Sequence, residues 1–120
     1  MSSRRGGSGR CLCGAVSYRV HGPLRDVIVC HCSVCRRSHG HVAAYSACAR
    51  EDLEIAGAAL RWHEHDGARR GFCSVCGSRL FWERPERPTI SVAAGSLDQP
   101  TELGIMGEVH RESAGDYYEL

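Results

Sequence analysis

Apolar residues alternate with small or polar ones along much of the chain, which is the pattern of strands that bury one face. The clearest example is Val16, Tyr18 and Val20, after which Gly22 and Pro23 indicate a turn. The same criteria predict further short strands at residues 26–30, 41–49, 60–64, 71–73, 79–83 and 89–94. Many short strands separated by turn residues predict a mainly β fold.

Helical structure is predicted at one place, residues 33–39, as a turn or two with Ser33 as the N-cap. Residues 1–9 are polar and glycine-rich, so they are predicted to be a disordered leader, and residues 10–120 a single folded domain. The leader is not followed by the apolar stretch of a signal peptide, and the longest apolar runs are far too short to cross a bilayer. We therefore expect a cytoplasmic protein without a membrane partner.

The composition suggests that the core needs reinforcement. Only 7% of the 120 residues are aromatic, and a domain this small buries a limited apolar core. The net charge is +1 without a polybasic block, which argues against nucleic acid as a partner. All fifteen basic residues are arginine, and this bias, with many Ala and Gly, favours a bacterial source.

The eight cysteines supply the candidate reinforcement. Seven of them lie in three groups of close spacing, Cys11-x-Cys13, Cys30-x-Cys32-x-x-Cys35 and Cys73-x-x-Cys76. Such spacings bring thiolates within reach of one tetrahedral zinc ion, and in a reducing compartment they indicate metal rather than disulfides. A thioredoxin-like redox pair would need a βαβ context, which the predicted strands do not provide.

Seven thiolates divide naturally into four and three. Cys11, Cys13, Cys73 and Cys76, here called the four-cysteine cluster, would close a long loop and fill every position of one zinc ion. Such a site is structural, and its binding free energy is comparable to the stability of a whole domain.

Cys30, Cys32 and Cys35, here called the three-cysteine cluster, leave a fourth position to be explained. An open fourth position is the arrangement of catalytic zinc. Alternatively, His39 completes the site and makes it closed and structural. The spacing alone favours neither interpretation.

Other polar residues near the clusters have several possible roles. Arg36 and Arg37 could offset the negative charge of a three-thiolate zinc site, bind a substrate carboxylate, or form a solvated helix face. His39 and His41 could be pocket residues, ligands or surface. Cys48, alone in a strand, is expected to be a small buried residue.

Two further expectations concern strand residues. His63 and His65 occupy alternating positions of one strand and are expected to be exposed. Arg79 could offset the charge of the four-cysteine cluster or lie at the surface.

Four segments occur in the order found in one protein family: residues 9–18 (GRCLCGAVSY), 30–36 (CHCSVCR), 72–78 (FCSVCGS) and 95–100 (GSLDQP). The chain resembles the glutathione-dependent formaldehyde-activating enzyme family, which includes the centromere protein V-like proteins. The resemblance implies a β-tent of antiparallel sheets joined through zinc. It also implies two zinc ions per chain, a structural one on the four-cysteine cluster and a catalytic one with an open position on Cys30, Cys32 and Cys35.

The family activity is the condensation of glutathione with formaldehyde to S-hydroxymethylglutathione, which is a carbon–sulfur lyase reaction in reverse. The resemblance thus implies an enzyme whose partners are a small thiol, glutathione or another, and an aldehyde. Arg36, Arg37 and His39 are candidate substrate contacts. The alternative is a non-catalytic, zinc-stapled β binding module.

The chain departs from the family in two respects. It is short, and we expect it to lack the extra segments that the full-length enzyme has around its site. Members often have a His before an apolar residue and then a Trp near the end, where this chain has Glu108-Val109 and Tyr117, with His110 as a shifted match. The resemblance therefore supports the family's metal sites in this chain more strongly than it supports the family's substrate.

Overall fold

The computed structural model describes residues 6–119. These residues form ten strands and one α-helix, which are joined by turns and loops. The strands are Gly7–Arg10 (β1), Ser17–Val20 (β2), Val27–Cys30 (β3), Ala43–Ala49 (β4), Leu53–Ala56 (β5), Leu60–His65 (β6), Ala68–Cys73 (β7), Arg79–Glu83 (β8), Thr89–Ala93 (β9) and Ile105–Val109 (β10). The helix α1 spans Ser33–His39, and short 3₁₀ turns occupy Arg50–Asp52, Ala94–Ser96 and Arg111–Ser113. The mainly β prediction is confirmed.

The strands form two sheets, one of three strands in the order β1-β2-β5 and one of seven in the order β10-β3-β4-β9-β8-β7-β6. Every pair is antiparallel, as the family resemblance implied, except β10, which runs parallel to β3. The alternating side chains of β2 pack against the larger sheet, and the Tyr18 ring meets the fully buried Phe81 ring edge-on at 5.2 Å between centroids. This contact lies in the core that joins the two sheets.

The prediction of a disordered leader is wrong for residues 7–9, which belong to strand β1. Residues 7–9 belong to β1, where they pair with β2 although they carry no apolar side chain. Gly9 is required there, because a Cβ would collide with the Tyr18 hydroxyl and the Ser96 carbonyl. Backbone pairing rather than side-chain burial therefore defines this strand, which is why alternation missed it. The rest of the predicted leader, residues 1–5, lies outside the described residues.

Helix α1 begins at the predicted residue, but its N-cap is Cys32 and not Ser33. The Cys32 side chain accepts a hydrogen bond from the Cys35 N–H at 3.2 Å, which replaces the serine hydroxyl as the capping acceptor. The helix ends at Gly40, whose φ of 82° lies in the left-handed region that favours glycine. No described helix is long and apolar enough to span a membrane.

Candidate metal centres

The four-cysteine cluster assembles as the spacing predicted. Cys11 and Cys13 come from the turn after β1, Cys73 ends β7, and Cys76 lies in the turn before β8. All four sulfurs lie within 4.8 Å of one another, with 3.7 Å between the Sγ atoms of Cys11 and Cys13 and 3.8 Å between those of Cys13 and Cys73. A tetrahedron with Zn–S bonds of about 2.3 Å has S–S edges of about 3.8 Å. The cluster could therefore hold a metal ion.

Backbone N–H groups around the cluster favour its thiolate form. Val16 donates to Cys11 Sγ at 3.3 Å, and Cys76 donates to Cys73 Sγ at 3.5 Å. The turn between β7 and β8, which carries Cys76, requires a glycine at position 77, because the φ of Gly77 is 81°. Hydrogen bonds of this kind orient sulfur ligands and offset part of their negative charge.

Ser78 is a cluster residue that the sequence interpretation did not assign. Its hydroxyl accepts a hydrogen bond from the Leu12 N–H at 3.0 Å, so its own proton is free to face Cys76 Sγ at 3.1 Å. This hydrogen bond is the main reason why the pKa of the Cys76 thiol falls to about 5. Ser78 thus connects the two turns that carry the four sulfurs.

The three-cysteine cluster lies at the junction of β3 and α1. Cys30 ends β3, Cys32 caps α1, Cys35 lies in the first turn, and the three sulfurs are within 4.8 Å of one another. Burial opposes ionisation of Cys32, but the N–H groups of Cys35 and Val34 and the neighbouring thiols outweigh it and lower its pKa. Burial and the two neighbouring sulfurs raise the pKa of Cys35. Three thiolates so close together need a cation between them, and this cluster could hold one.

His39 is not part of this cluster. No fourth Cys, His, Asp or Glu of residues 6–119 places a ligand atom in the group. The Nε2 atom of His39 lies 3.0 Å from the Tyr45 hydroxyl, and the two rings meet edge-on at 5.5 Å. Burial, reinforced by Arg79 and Arg70, lowers the pKa of His39 to about 4, so it is neutral at pH 7.

We expect His39→Ala to retain the metal of the three-cysteine cluster, because the imidazole is held by Tyr45 and not by the sulfurs. Elemental analysis of the purified, reduced variant should give the same number of metal ions per chain as the unaltered protein. His110→Ala is the matched control, since His110 is exposed. Loss of one ion in the His39 variant alone would mean that the site is closed.

The sequence interpretation also missed a buried histidine that lies between two ligands of the three-cysteine cluster in the sequence. His31 lies between two of the ligands and is completely buried, with Nδ1 2.6 Å from the Tyr118 hydroxyl and Nε2 2.7 Å from the Glu108 carboxylate. The hydrogen bond from His31 is the main reason why the pKa of Glu108 is lowered. Both nitrogens are therefore engaged, and the backbone between Cys30 and Cys32 is held in place by the C-terminal segment.

Two of the C-terminal residues at which the chain departs from the family pattern contact buried or half-buried histidines, Glu108 contacting His31 and Tyr117 contacting His41. Glu108, the position at which the resemblance led us to expect histidine, is the partner of His31, and the Tyr118 ring rather than the Tyr117 ring stacks on the His31 ring. Tyr117 places its hydroxyl 2.7 Å from Nδ1 of His41. His110, the shifted match, is exposed, and its Nδ1 atom lies 3.6 Å from the Glu112 carboxylate.

Two cavities adjoin α1. The larger one, about 790 Å³, lies between the four-cysteine cluster and the end of the helix, and His39, Ser78 and Arg79 contribute to its wall. The smaller one, about 420 Å³, runs along α1 beside Arg37. Arg36, the remaining predicted substrate contact, is half-buried and lines neither cavity.

A mainly β domain with two cysteine clusters that could each hold a metal ion is the architecture of a small metal-binding β protein. The sequence model of the glutathione-dependent formaldehyde-activating enzyme family matches residues 7–113, and the chain belongs to this family. It is also similar to the crystal structure of a Rhodobacter sphaeroides protein, with a TM-score of 0.68 and 29% identity over 84% of this chain and 98% of that one. No curated protein sequence matches the chain.

Proposed function

We propose that the protein is a zinc-dependent carbon–sulfur lyase or synthase that acts on the adduct of a small thiol and an aldehyde. The observation that supports this most strongly is the three-cysteine cluster, whose sulfurs come from one short segment while His39 is held by Tyr45. Three protein ligands and an open position are the arrangement of catalytic zinc. Family membership supports the same type of chemistry.

In the proposed reaction the thiol sulfur bonds to the aldehyde carbon, the carbonyl π bond opens, and the thiol proton ends on the oxygen. Zinc, when bound, supplies a positive charge that favours a deprotonated thiol or polarises the carbonyl. Cys30, Cys32 and Cys35 would hold that ion, and the hydrogen bond between His31 and Glu108 fixes the position of their loop.

We assign the proton transfer of the proposed reaction to the neutral pair of His39 and Tyr45, which lies near the Cys35 sulfur. Burial, and then the Cys35 sulfur, raise the pKa of Tyr45, so its hydroxyl keeps its proton at pH 7. A hydroxyl hydrogen-bonded to a neutral imidazole can pass a proton without leaving a buried charge. We assign His39 to substrate contact through this pair. Reducing conditions such as those of the cytoplasm would keep the clustered thiols available to metal.

The test is a screen of small thiols against aldehydes, including glutathione with ¹³C-formaldehyde, in which NMR exchange measures the interconversion of free aldehyde and adduct. We expect the zinc-loaded protein to accelerate exchange above the spontaneous rate, and the metal-stripped protein not to do so. Two bound zinc ions without acceleration for any pair would instead identify a non-catalytic binding module.

A further inference from the structure

The C-terminal segment, residues 105–119, has little apolar anchoring in the rest of the molecule. It comprises β10, the 3₁₀ turn that follows it and the residues after that turn. None of its side chains is buried, and Ile105, Met106 and Tyr117 are large apolar residues that are exposed. Segments that bury little apolar surface open locally at a small cost in free energy. The ordering of this segment can therefore respond to a change at the site that it contacts.

That site is His31, which makes three hydrogen-bonded contacts with the segment. Its backbone N–H donates to the Val109 carbonyl at 3.1 Å. Its Nε2 atom lies 2.7 Å from the Glu108 carboxylate, and its Nδ1 atom lies 2.6 Å from the Tyr118 hydroxyl. Because the ionised carboxylate can only accept, the Nε2 atom carries a proton and donates it. The C-terminal segment thus satisfies all three nitrogens of this completely buried residue.

The position of His31 in the sequence makes these contacts matter for the metal ligands. Cys30 ends β3, and the backbone of Cys32 is still extended, with φ −65° and ψ 160°. In an extended segment, successive side chains point to opposite sides. The sulfurs of Cys30 and Cys32 therefore share one side, and the His31 ring occupies the other. A rotation of the backbone that moved the buried ring would also redirect both sulfurs.

The same segment contacts the chain beyond the other end of α1. The Tyr117 hydroxyl lies 2.7 Å from Nδ1 of His41, and the Tyr118 ring meets the His41 ring edge-on at 4.7 Å between centroids. The Tyr118 ring also stacks on the His31 ring. Helix α1 carries the third sulfur of the cluster in its first turn. Two tyrosines of the segment thus hold the residues that flank this helix.

We propose that the C-terminal segment and the metal ion of the three-cysteine cluster stabilise each other, with Glu108 and Tyr118 as positioning residues. Their contacts with His31 direct two sulfurs toward the ion, which raises the metal affinity of the cluster. Without the ion, thiolates this close repel one another, and the turn that carries them relaxes. A coupling free energy is reciprocal, so the ion orders the segment as much as the segment favours the ion. The proposal requires a metal ion in the cluster but no catalysis.

The first measurement is the metal affinity of the zinc-loaded protein in competition with a chelator. The outer partners of metal ligands typically change metal affinity by about 10–100-fold. We expect Glu108→Ala to bind one of its two zinc ions at least about tenfold more weakly and the other with unaltered affinity. Glu108→Gln keeps an acceptor oxygen and should restore most of the affinity. Glu112→Ala, which removes an exposed carboxylate that faces His110, is the matched control and should behave as the unaltered protein.

Cys32→Ser identifies the ion that Glu108→Ala weakens. It should lack the zinc ion of the three-cysteine cluster and bind the remaining ion as tightly as the unaltered protein does. The ion that the two variants share at full affinity is then that of the four-cysteine cluster.

The second measurement is amide hydrogen exchange of the unaltered protein, before and after a chelator removes the weaker of its two zinc ions. Because the coupling is reciprocal, we expect the β10 amides to exchange about 10–100-fold faster without this ion. The amides of β2, in the other sheet, should exchange at the same rate in both states, since the four-cysteine cluster keeps its ion.

Four results would overturn the proposal. A Glu108→Ala variant that binds both ions as tightly as the unaltered protein is the first. Equal weakening of both ions is the second, because it would mean a general loss of stability. The third is β10 exchange that does not depend on the ion, and the fourth is an unaltered protein that binds a single ion. If Glu108→Ala does not fold, Tyr118→Phe, which removes one hydroxyl and keeps the ring, repeats the measurement and decides it.

This proposal and the catalytic one fail separately. If no thiol–aldehyde pair is turned over but Glu108→Ala weakens one ion, the catalytic proposal is wrong and the coupling stands. If turnover occurs and Glu108→Ala leaves both metal affinities unchanged, the coupling is wrong and the catalytic proposal stands.

Discussion

Replacing Cys11 with serine is expected to unfold the protein. Cys11 is 2% exposed, lies in the core that joins the two sheets, and belongs to a cluster whose members are up to sixty-five residues apart, from Cys11 to Cys76. A structural zinc ion contributes roughly 10–16 kcal/mol of apparent binding free energy. The whole stability of a small domain is about 5–15 kcal/mol, so losing one ligand of that ion removes most of it. The amide NMR spectrum should collapse to that of an unfolded chain.

Cys48→Ser is the matched control for this variant. Cys48 is buried to nearly the same degree, at 3% exposed, but it lies outside both clusters, as the sequence interpretation expected. The same change of sulfur to oxygen there costs only the burial of a hydroxyl, about 1–3 kcal/mol. If the Cys11 variant is folded and as stable as the Cys48 variant, the four-cysteine cluster does not hold the fold together.

Cys32→Ser is expected to abolish the proposed activity and to release one zinc ion while the protein stays folded. All three sulfurs of its cluster lie on residues 30–35, so this ion closes only short loops and organises little of the chain. The other role of Cys32, capping α1, is one that serine performs well. Elemental analysis should give one zinc ion per chain, adduct exchange should fall to the spontaneous rate, and the dispersed amide spectrum should remain.

The comparison of these two variants also tests the assignment of the clusters. A folded Cys11 variant together with an unfolded Cys32 variant would mean that the structural and catalytic roles are reversed. A Cys32 variant that retains two zinc ions and full activity would contradict the catalytic assignment altogether. Cys48→Ser should have two ions and full activity in the same assays.

Strands with alternating side chains were predictable because burial of one face leaves a period-two pattern in the sequence. β3 and β9 follow that rule, and the structure has them within one residue of the predicted bounds. β1, β5 and β10 were missed. β10 exposes most of its side chains and is a strand because its backbone pairs with β3, seventy-eight residues away at Ile105 and Val27.

Some features of the candidate site could likewise be predicted from the sequence, and others could not. Short spacings predicted the two pairs and the triplet of cysteines, since residues two or three apart cannot be far apart in space. The joining of the two distant pairs was predicted from the four ligands that one zinc ion takes. Spacing could not reveal that His39 faces Tyr45, although the two are only six residues apart, because the rotation of α1 against β4 sets that contact. The spacing also could not reveal the hydrogen bonds of His31, because its partners Glu108 and Tyr118 lie near the other end of the chain.

The sequence by itself thus determined the fold class, the two groups of cysteines and their division into four and three. The fold class depends on side-chain periodicity, and the cysteine groups depend on contacts between near neighbours and on the number of ligands that one zinc ion takes. All three can be read from the sequence. Only the tertiary structure decided that Glu83 binds Arg69 and not Arg70, because either pairing was possible until the strands placed Glu83 and Arg69 on the same face. The free energy of an ion pair depends on distance and burial, and long-range packing sets both.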